Sequence, residues 1–285
     1  MLRKMLKYDF KSIARLWWVI AVSAVGLSFI GAIAFRIMLT VSDVNEPPVL
    51  IMLSTTLIFF VSVIGVIAAA VVTQILIFIR FYKHFFSDEG YLTFTLPVKR
   101  GQLLLSKTAN AFIWETLTAI LIGVCISLYL IISPPASGVE LINFDIFIGV
   151  GTLFGELFKL FGLWTVLFTF EIILMIALFA LYSISLIHFC ITVGSVVAKK
   201  LKWLAAIGIY YLVNSILSVV GQFLGFMAIM LMGEGLGVYL EGASPALSAW
   251  VIAIILLIIC TIMAAIAAIM YFVTQGTIER KLNLA

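Results

Sequence analysis

The sequence predicts an all-α integral membrane protein with six transmembrane helices, and two observations support this. Hydrophobic residues make up 65% of the chain and charged residues 11%, whereas soluble domains average roughly 45–50% and about 25%. Six apolar runs are also long enough to cross a hydrocarbon core of ~30 Å as helices. They lie at about 17–39, 50–79, 113–133, 161–188, 203–232 and 246–273. A chain of this composition could not shield its apolar surface from water.

The distribution of lysine and arginine predicts that both termini are cytoplasmic. With that orientation, 15 of the 17 basic residues fall in cytoplasmic segments, and only Arg36 and Lys159 fall on the other side. The net charge of +4 reflects this asymmetry, because basic side chains favour the anionic inner leaflet of the lipid bilayer. The charge therefore gives no reason to expect a nucleic acid partner.

Residues 1–16 have the pattern of an amphipathic helix lying flat on the inner leaflet. Apolar side chains recur at helical spacing at Leu2, Met5, Leu6, Phe10, Ile13 and Trp17. Basic side chains share the opposite face at Lys4, Lys7, Lys11 and Arg15. This pattern predicts an interfacial helix that leads into the first span. The alternative is a plain basic flank that only sets the topology.

The remaining connections are too short to fold alone, so residues 1–285 are predicted to form one membrane domain. A longer outer segment, about 134–160, contains the amphipathic-looking stretch NFDIFIGVGTLFGELFKLF. We expect it on the outer surface or partly inside the bilayer. Cys125, Cys190 and Cys260 all fall inside apolar runs without paired spacing, which predicts buried packing residues and no disulfide or metal site.

The cytoplasmic segment 84–108 ends in GQLLLSKT, which differs from the phosphate-loop pattern G-x-x-x-x-G-K-[ST] only at Ser106. A phosphate loop needs small residues whose backbone N–H groups surround the phosphates. Here its interior is the bulky run Leu103-Leu104-Leu105, and no strand precedes it. The segment is therefore not predicted to bind nucleotide.

Read physically, the segment contains two short helices separated by Pro97. Ser87 or Asp88 is a suitable N-cap for a first helix that ends at Leu96, because the residue before a proline is displaced from helical angles. A second helix then runs past Arg100 into the third span. This arrangement suits a surface on which a bound soluble partner exerts force.

The same residues resemble the permease subunits of type 2 ATP-binding-cassette exporters, in particular those of Gram-positive bacteria. The similarity covers the six-span layout and two local motifs, Glu89-Gly90-Tyr91-Leu92 and Leu96-Pro97-Val98-Lys99-Arg100. The leucine cluster 103–105, Lys107 and the ending Arg280-Lys281-Leu282-Asn283-Leu284 extend it. In that family the segment is a coupling helix that docks into a cytoplasmic ATPase. The resemblance assigns this role to Asp88, Glu89, Gly90, Tyr91, Leu92, Leu96, Pro97, Arg100 and Lys107.

The resemblance further implies a transport subunit of the cytoplasmic membrane that is not itself an enzyme. The chain would bind no cofactor, since ATP and Mg²⁺ would bind to a separate ATPase subunit, and a second permease chain would complete the exporter. The apolar bundle suits a peptide, antimicrobial or drug-like substrate. The sequence departs from the family between spans five and six, where only about a dozen residues replace the usual re-entrant hairpin.

Polar residues inside the spans are the other candidate functional sites. Glu171 lies near the middle of span four, where an ionisable group should face the bundle interior or water. It could serve a transport pathway or be a protonated structural carboxyl. In span five, Asn214, Ser218 and Gln222 share one face and could line a cavity or bond two helices together.

Two other functional classes follow from these residues. An ion-coupled secondary transporter or channel would use Glu171 as its ion-linked group. A membrane-embedded enzyme would need a catalytic cluster, which two separated histidines and three cysteines do not supply.

Overall fold

The computed structural model describes residues 2–42, 48–87, 90, 100–132, 145–198, 200–231 and 245–281. Within these ranges the ordered elements are seven long α-helices and no strand. The helices are α1 (Leu2–Ser42), α2 (Val49–Phe86), α3 (Arg100–Ile132), α4 (Asp145–Phe161), α5 (Trp164–Val197), α6 (Lys202–Leu231) and α7 (Pro245–Lys281). All except α4 contain a stretch long and apolar enough to cross a membrane. The all-α class is therefore confirmed for the described residues, and six of these helices are candidate membrane spans, which indicates a multi-pass membrane protein.

The first helix differs from the sequence prediction because it has no boundary near residue 16. α1 runs without interruption from Leu2 to Ser42, a length of about 60 Å at 1.5 Å per residue. The amphipathic start contains no proline or glycine that would end it before the apolar run begins. The predicted interfacial helix is thus the first part of the spanning helix and not a separate element.

The structure divides the chain into two compact units. Unit 1 consists of Met1–Ile77 and Ala109–Leu153, and unit 2 consists of Phe78–Thr108 and Phe154–Ala285.

Unit 1 is held together by aromatic and small-residue contacts of α1 with α2 and α3. Phe10 stacks on Trp114 with ring centroids 4.6 Å apart, and the indole N–H of Trp17 donates to Thr118 Oγ1 at 3.0 Å. Further along α1, a Cβ added at Gly31 would fall within 2.4 Å of the Ser62 Cβ. Only glycine therefore permits α1 and α2 to approach this closely.

Unit 2 is organised around α5, which packs against both α6 and α7. The turn before α5 uses Gly162 in the left-handed region, at φ 58°, and Thr165 Oγ1 donates back to the carbonyl of Leu157 at 2.9 Å. Further along α5, Leu186 and Cys190 form a buried cluster with Met270 of α7. All three cysteines are buried and unbridged, as the sequence predicts.

The contacts also establish the directions of these helices. Trp164 and Trp250, at the starts of α5 and α7, lie 4.8 Å apart. Closer to the ends of the same two helices, Met270 of α7 packs against Leu186 and Cys190 of α5. The helices α5 and α7 are therefore parallel. Gly194 near the end of α5 meets Ala206 near the start of α6, so α6 is antiparallel to α5. One end of unit 2 therefore collects the ends of α5 and α7 and the start of α6. We call it the basic end, because Lys200 and Lys202 lie there.

Candidate functional site

Arg100 is the residue of the predicted coupling segment with the clearest structural role. It begins α3 at the basic end of unit 2, and its Nη1 donates to the backbone carbonyls of Ile278 and Glu279, each at 3.0 Å. The last carbonyls of a helix lack intrahelical partners and carry partial negative charge. The guanidinium group of Arg100 supplies these carbonyls with both a hydrogen-bond donor and a positive charge. Arg100 thereby joins the start of α3 to the end of α7.

The next residue, Gly101, lies against side chains of α7. A Cβ added at Gly101 would lie 2.9 Å from Nε2 of Gln275 on α7. The same Gln275 amide donates to Glu279 Oε1 at 3.1 Å, which orients it along the helix. The start of α3 therefore lies directly against the last two turns of α7.

Immediately beyond this junction lies a buried polar contact of α3 with α5 and α2. His188 is 2% exposed, its ring stacks on Phe81 with centroids 3.8 Å apart, and its Nδ1 lies 3.4 Å from Thr108 Oγ1. His188 therefore joins α5 to both α2 and α3. No group of three or more His, Cys, Asp or Glu side chains that could hold a metal occurs within the described ranges.

The structure describes only some of the other predicted coupling residues. Asp88, Glu89, Tyr91, Leu92, Leu96 and Pro97 lie outside the described residues. Gly90 is buried, and its N–H donates to the carbonyl of Ser87 at 2.7 Å, which is a turn at the point where the N-cap is predicted. Lys107 lies in α3 and is 7% exposed. The described part of the segment is thus built into the packing of unit 2.

Glu171 is buried in α5, with 7% of its surface exposed. Its Oε2 has no hydrogen-bond partner among the described residues. An unsatisfied buried acceptor costs about 1–3 kcal/mol, so a proton, an ion or a partner from outside these residues must compensate for it. The orientation of Glu171 toward the bundle interior or water stays a prediction.

The polar stripe of α6 does not bond helices together within the described chain. Asn214 is half-buried, whereas Ser218 and Gln222 are exposed, and none of the three makes an interhelical hydrogen bond to another described residue. Gly221 and Gly225 likewise have nothing within 4 Å of a built Cβ. The two roles considered for the stripe, lining a cavity and bonding two helices together, therefore both stay predictions.

Sequence reasoning missed several contacts that the structure establishes. Gly194 allows α6 to approach, because a Cβ there would lie 2.6 Å from the Ala206 Cα. Glu115 Oε1 accepts a hydrogen bond from the Gln74 amide, which joins α3 to α2. The only sequence signal for these contacts is the presence of small or polar residues in apolar runs, and other small residues such as Gly208 and Gly221 have nothing within 4 Å of a built Cβ.

No protein-family model, curated protein or solved structure matches this chain. The fold by itself defines the class as a helical multi-pass membrane protein, since six of its helices are long and apolar enough to span a bilayer.

Proposed function

We propose that the chain is the permease subunit of an ATP-binding-cassette exporter. It would reside in the cytoplasmic membrane with both termini inside and the basic end of unit 2 facing the cytoplasm. Residues 84–108 would dock on a separate ATPase subunit, and a second permease chain would complete the transport path. The substrate would be a peptide, an antimicrobial or a drug-like compound.

The observation that supports this proposal most is the double attachment of Arg100. Residues 88–99, which carry the resemblance to a coupling helix, connect directly to α3, a helix that continues without a break from Arg100 to Ile132. The same arginine holds the end of α7 through the Ile278 and Glu279 carbonyls. Helices are stiff, so a displacement of residues 88–99 would be transmitted to two spans at once.

In this mechanism the chain performs no chemistry of its own. ATP binding would close the two ATPase subunits, and each coupling segment would follow its ATPase. The start of α3 and the end of α7 would then tilt together, because Arg100 and the close contact at Gly101 hold them in register. Tilting of spans from one end is the kind of rigid-body motion that opens and closes a transport path.

The docking surface can be tested by photo-crosslinking in native membranes. A photoreactive amino acid at Tyr91 should crosslink a soluble ATPase that contains a phosphate loop, identified by mass spectrometry. The same amino acid at Ile148, on the 63% exposed face of α4, serves as the control and should not. If Tyr91 gives no ATPase adduct while the chain is folded and abundant, the docking assignment is wrong.

A matched pair of arginines tests the coupling step itself. Arg36 Nη1 donates to the carbonyl of Ile132 at 3.3 Å, so Arg36 and Arg100 make the same kind of contact with a helix end. We expect Arg100→Gln to uncouple ATP hydrolysis from export in the purified complex, whereas Arg36→Gln leaves the two coupled. Equal coupling ratios for the two variants would show that Arg100 has only a structural role.

An ion-coupled transporter is the second candidate, and the buried carboxyl of Glu171 favours it. A carboxyl with an unpartnered oxygen can exchange a proton or an ion. The purified chain alone, reconstituted into vesicles, would then transport in response to an ion gradient, and Glu171→Gln would abolish that transport. If only ATP and the ATPase subunit drive transport, this candidate is excluded.

A further inference from the structure

Unit 2 contains an apolar groove that no feature of the proposed export mechanism uses. It has a volume of about 490 Å³ and lies between α6 and α7, with Phe189 of α5 between them. α6 contributes Val213, Ile216 and Leu217, and α7 contributes Ile269, Met270 and Val273. Every lining residue is apolar, so the groove would not hold ordered water. Its volume falls in the range of ligand sites, about 300–1,000 Å³.

The depth of the groove in the membrane follows from helix geometry. Trp203, at the start of α6, is 50% exposed, and exposed tryptophans concentrate at the level of lipid headgroups. Val213 lies ten residues further along α6, or about 15 Å at 1.5 Å per residue. That distance is half of the ~30 Å hydrocarbon core. The groove therefore lies one acyl-chain length from the headgroups at the basic end.

The charges that flank α6 in the sequence differ in sign. Lys200 and Lys202 lie at the basic end, where Lys200 is exposed and Lys202 half-buried. Glu279, near the end of α7, accepts a hydrogen bond from Gln275. The connection that follows α6 in the sequence, residues 232–244, contains Glu234 and Glu241 and no basic residue. An anionic headgroup is thus favoured at the basic end alone.

We propose that this groove binds one acyl chain of an anionic glycerophospholipid whose headgroup lies beside Lys200 and Lys202. Anionic lipids occupy basic pockets between membrane helices in this way. A second copy of the chain is the competing occupant of the groove, and the test below distinguishes it from a lipid.

The site can be tested with the purified full-length chain in nanodiscs of phosphatidylcholine. The probes are phosphatidylglycerol and phosphatidylcholine, each carrying a diazirine at the end of one acyl chain and each present at the same low fraction. After illumination, mass spectrometry should find adducts on peptides that contain residues 213–217 and 269–273. Phosphatidylglycerol should label these peptides more strongly, by about fivefold for each of the two lysines.

Two pairs of variants separate the tail site from the headgroup site. Val213→Trp fills the groove and should remove most of the labelling, whereas Val219→Trp, at a 65% exposed position of the same helix, should not change it. Replacing Lys200 and Lys202 together by glutamine should reduce phosphatidylglycerol labelling to the phosphatidylcholine level. Unlabelled phosphatidylglycerol should also compete with its probe on the unmodified chain, which provides a test even if Val213→Trp does not fold.

Three results would overturn the proposal. The first is equal labelling by the two lipids, and the second is equal labelling of the Val213→Trp and Val219→Trp variants. The third is a protein–protein adduct formed by a photoreactive amino acid placed at Val213 of the unlabelled chain, which would assign the groove to a second copy. The experiment needs no ATPase, so its outcome is independent of the proposed export function.

Discussion

The two parts of α5 belong to one continuous apolar helix but differ greatly in their packing. From Ile184 to Gly194, nine of the eleven residues are buried, whereas from Trp164 to Ser183 only Thr165 and Glu171 are buried. The stretch from Ile184 to Gly194 contacts α2, α3, α6 and α7 through residues such as His188, Cys190 and Gly194. One helix is thus firmly anchored at the basic end and largely exposed elsewhere. The well-packed part of α5 therefore lies at the same end of unit 2 as Arg100, where the proposed coupling segment joins α3.

The sharpest test of this difference substitutes the same residue type in both parts. Leu186 is 2% exposed and Leu174 is 39% exposed. Leu186→Ala should lower the free energy of unfolding by about 3 kcal/mol because it leaves a cavity. Leu174→Ala should lower it by less than about 1 kcal/mol, since lipid can fill the space. Thermal unfolding of both variants in the same detergent measures the difference, and equal losses would show that the two parts are equally packed.

The close approach of α6 provides the next largest effect. Gly194→Ala should destabilise by about 1–3 kcal/mol, because its Cβ would overlap the Ala206 backbone and overpacking has that cost. Gly208→Ala, where nothing lies within 4 Å of the new Cβ, should be neutral or stabilise by up to about 1 kcal/mol, since alanine has the higher helix propensity. The two midpoints should therefore move in opposite directions. Parallel shifts would contradict the close contact.

A smaller effect is expected at the junction of α3 and α7. Arg100→Gln removes the two hydrogen bonds to the Ile278 and Glu279 carbonyls. Because Arg100 is exposed, solvent screening reduces the stability loss to about 1 kcal/mol or less. Hydrogen exchange should become faster in the last two turns of α7 and remain unchanged near its start at Pro245. Uniform protection along α7 would show that Arg100 does not hold this helix end.

The smallest change in stability is expected at Glu171, in the open part of α5. Glu171→Gln keeps the shape of the side chain and removes its ability to ionise, so the unfolding free energy should change by less than about 1 kcal/mol. ATP-driven export should be unaffected if the proposed function is correct. Loss of gradient-driven transport in the isolated chain would instead support the ion-coupled alternative. Reconstituted vesicles assayed with and without ATP distinguish these outcomes.

Local composition was sufficient to predict the class of fold and the number of spans. Each of the six helices must satisfy its own backbone hydrogen bonds in a bilayer, so a long apolar run reveals a span without knowledge of its neighbours. The continuation of α3 from Arg100 was predictable for the same reason, since no proline follows Pro97 before the third span. Amphipathicity alone does not predict a helix boundary near residue 16, and α1 has none. A helix can pass from the membrane surface into the bilayer without any change in its backbone.

Only the tertiary structure determined which small and polar residues make contacts. Gly194 and Gly221 both lie in apolar helices, yet a Cβ would clash at the first and meet nothing at the second. Arg100 bonds to residues 178 and 179 positions away in the chain, and Glu115 bonds to an amide 41 positions away. The physical reason is that hydropathy and helix propensity belong to single segments. A close approach or an interhelical hydrogen bond depends on which face of another segment lies opposite.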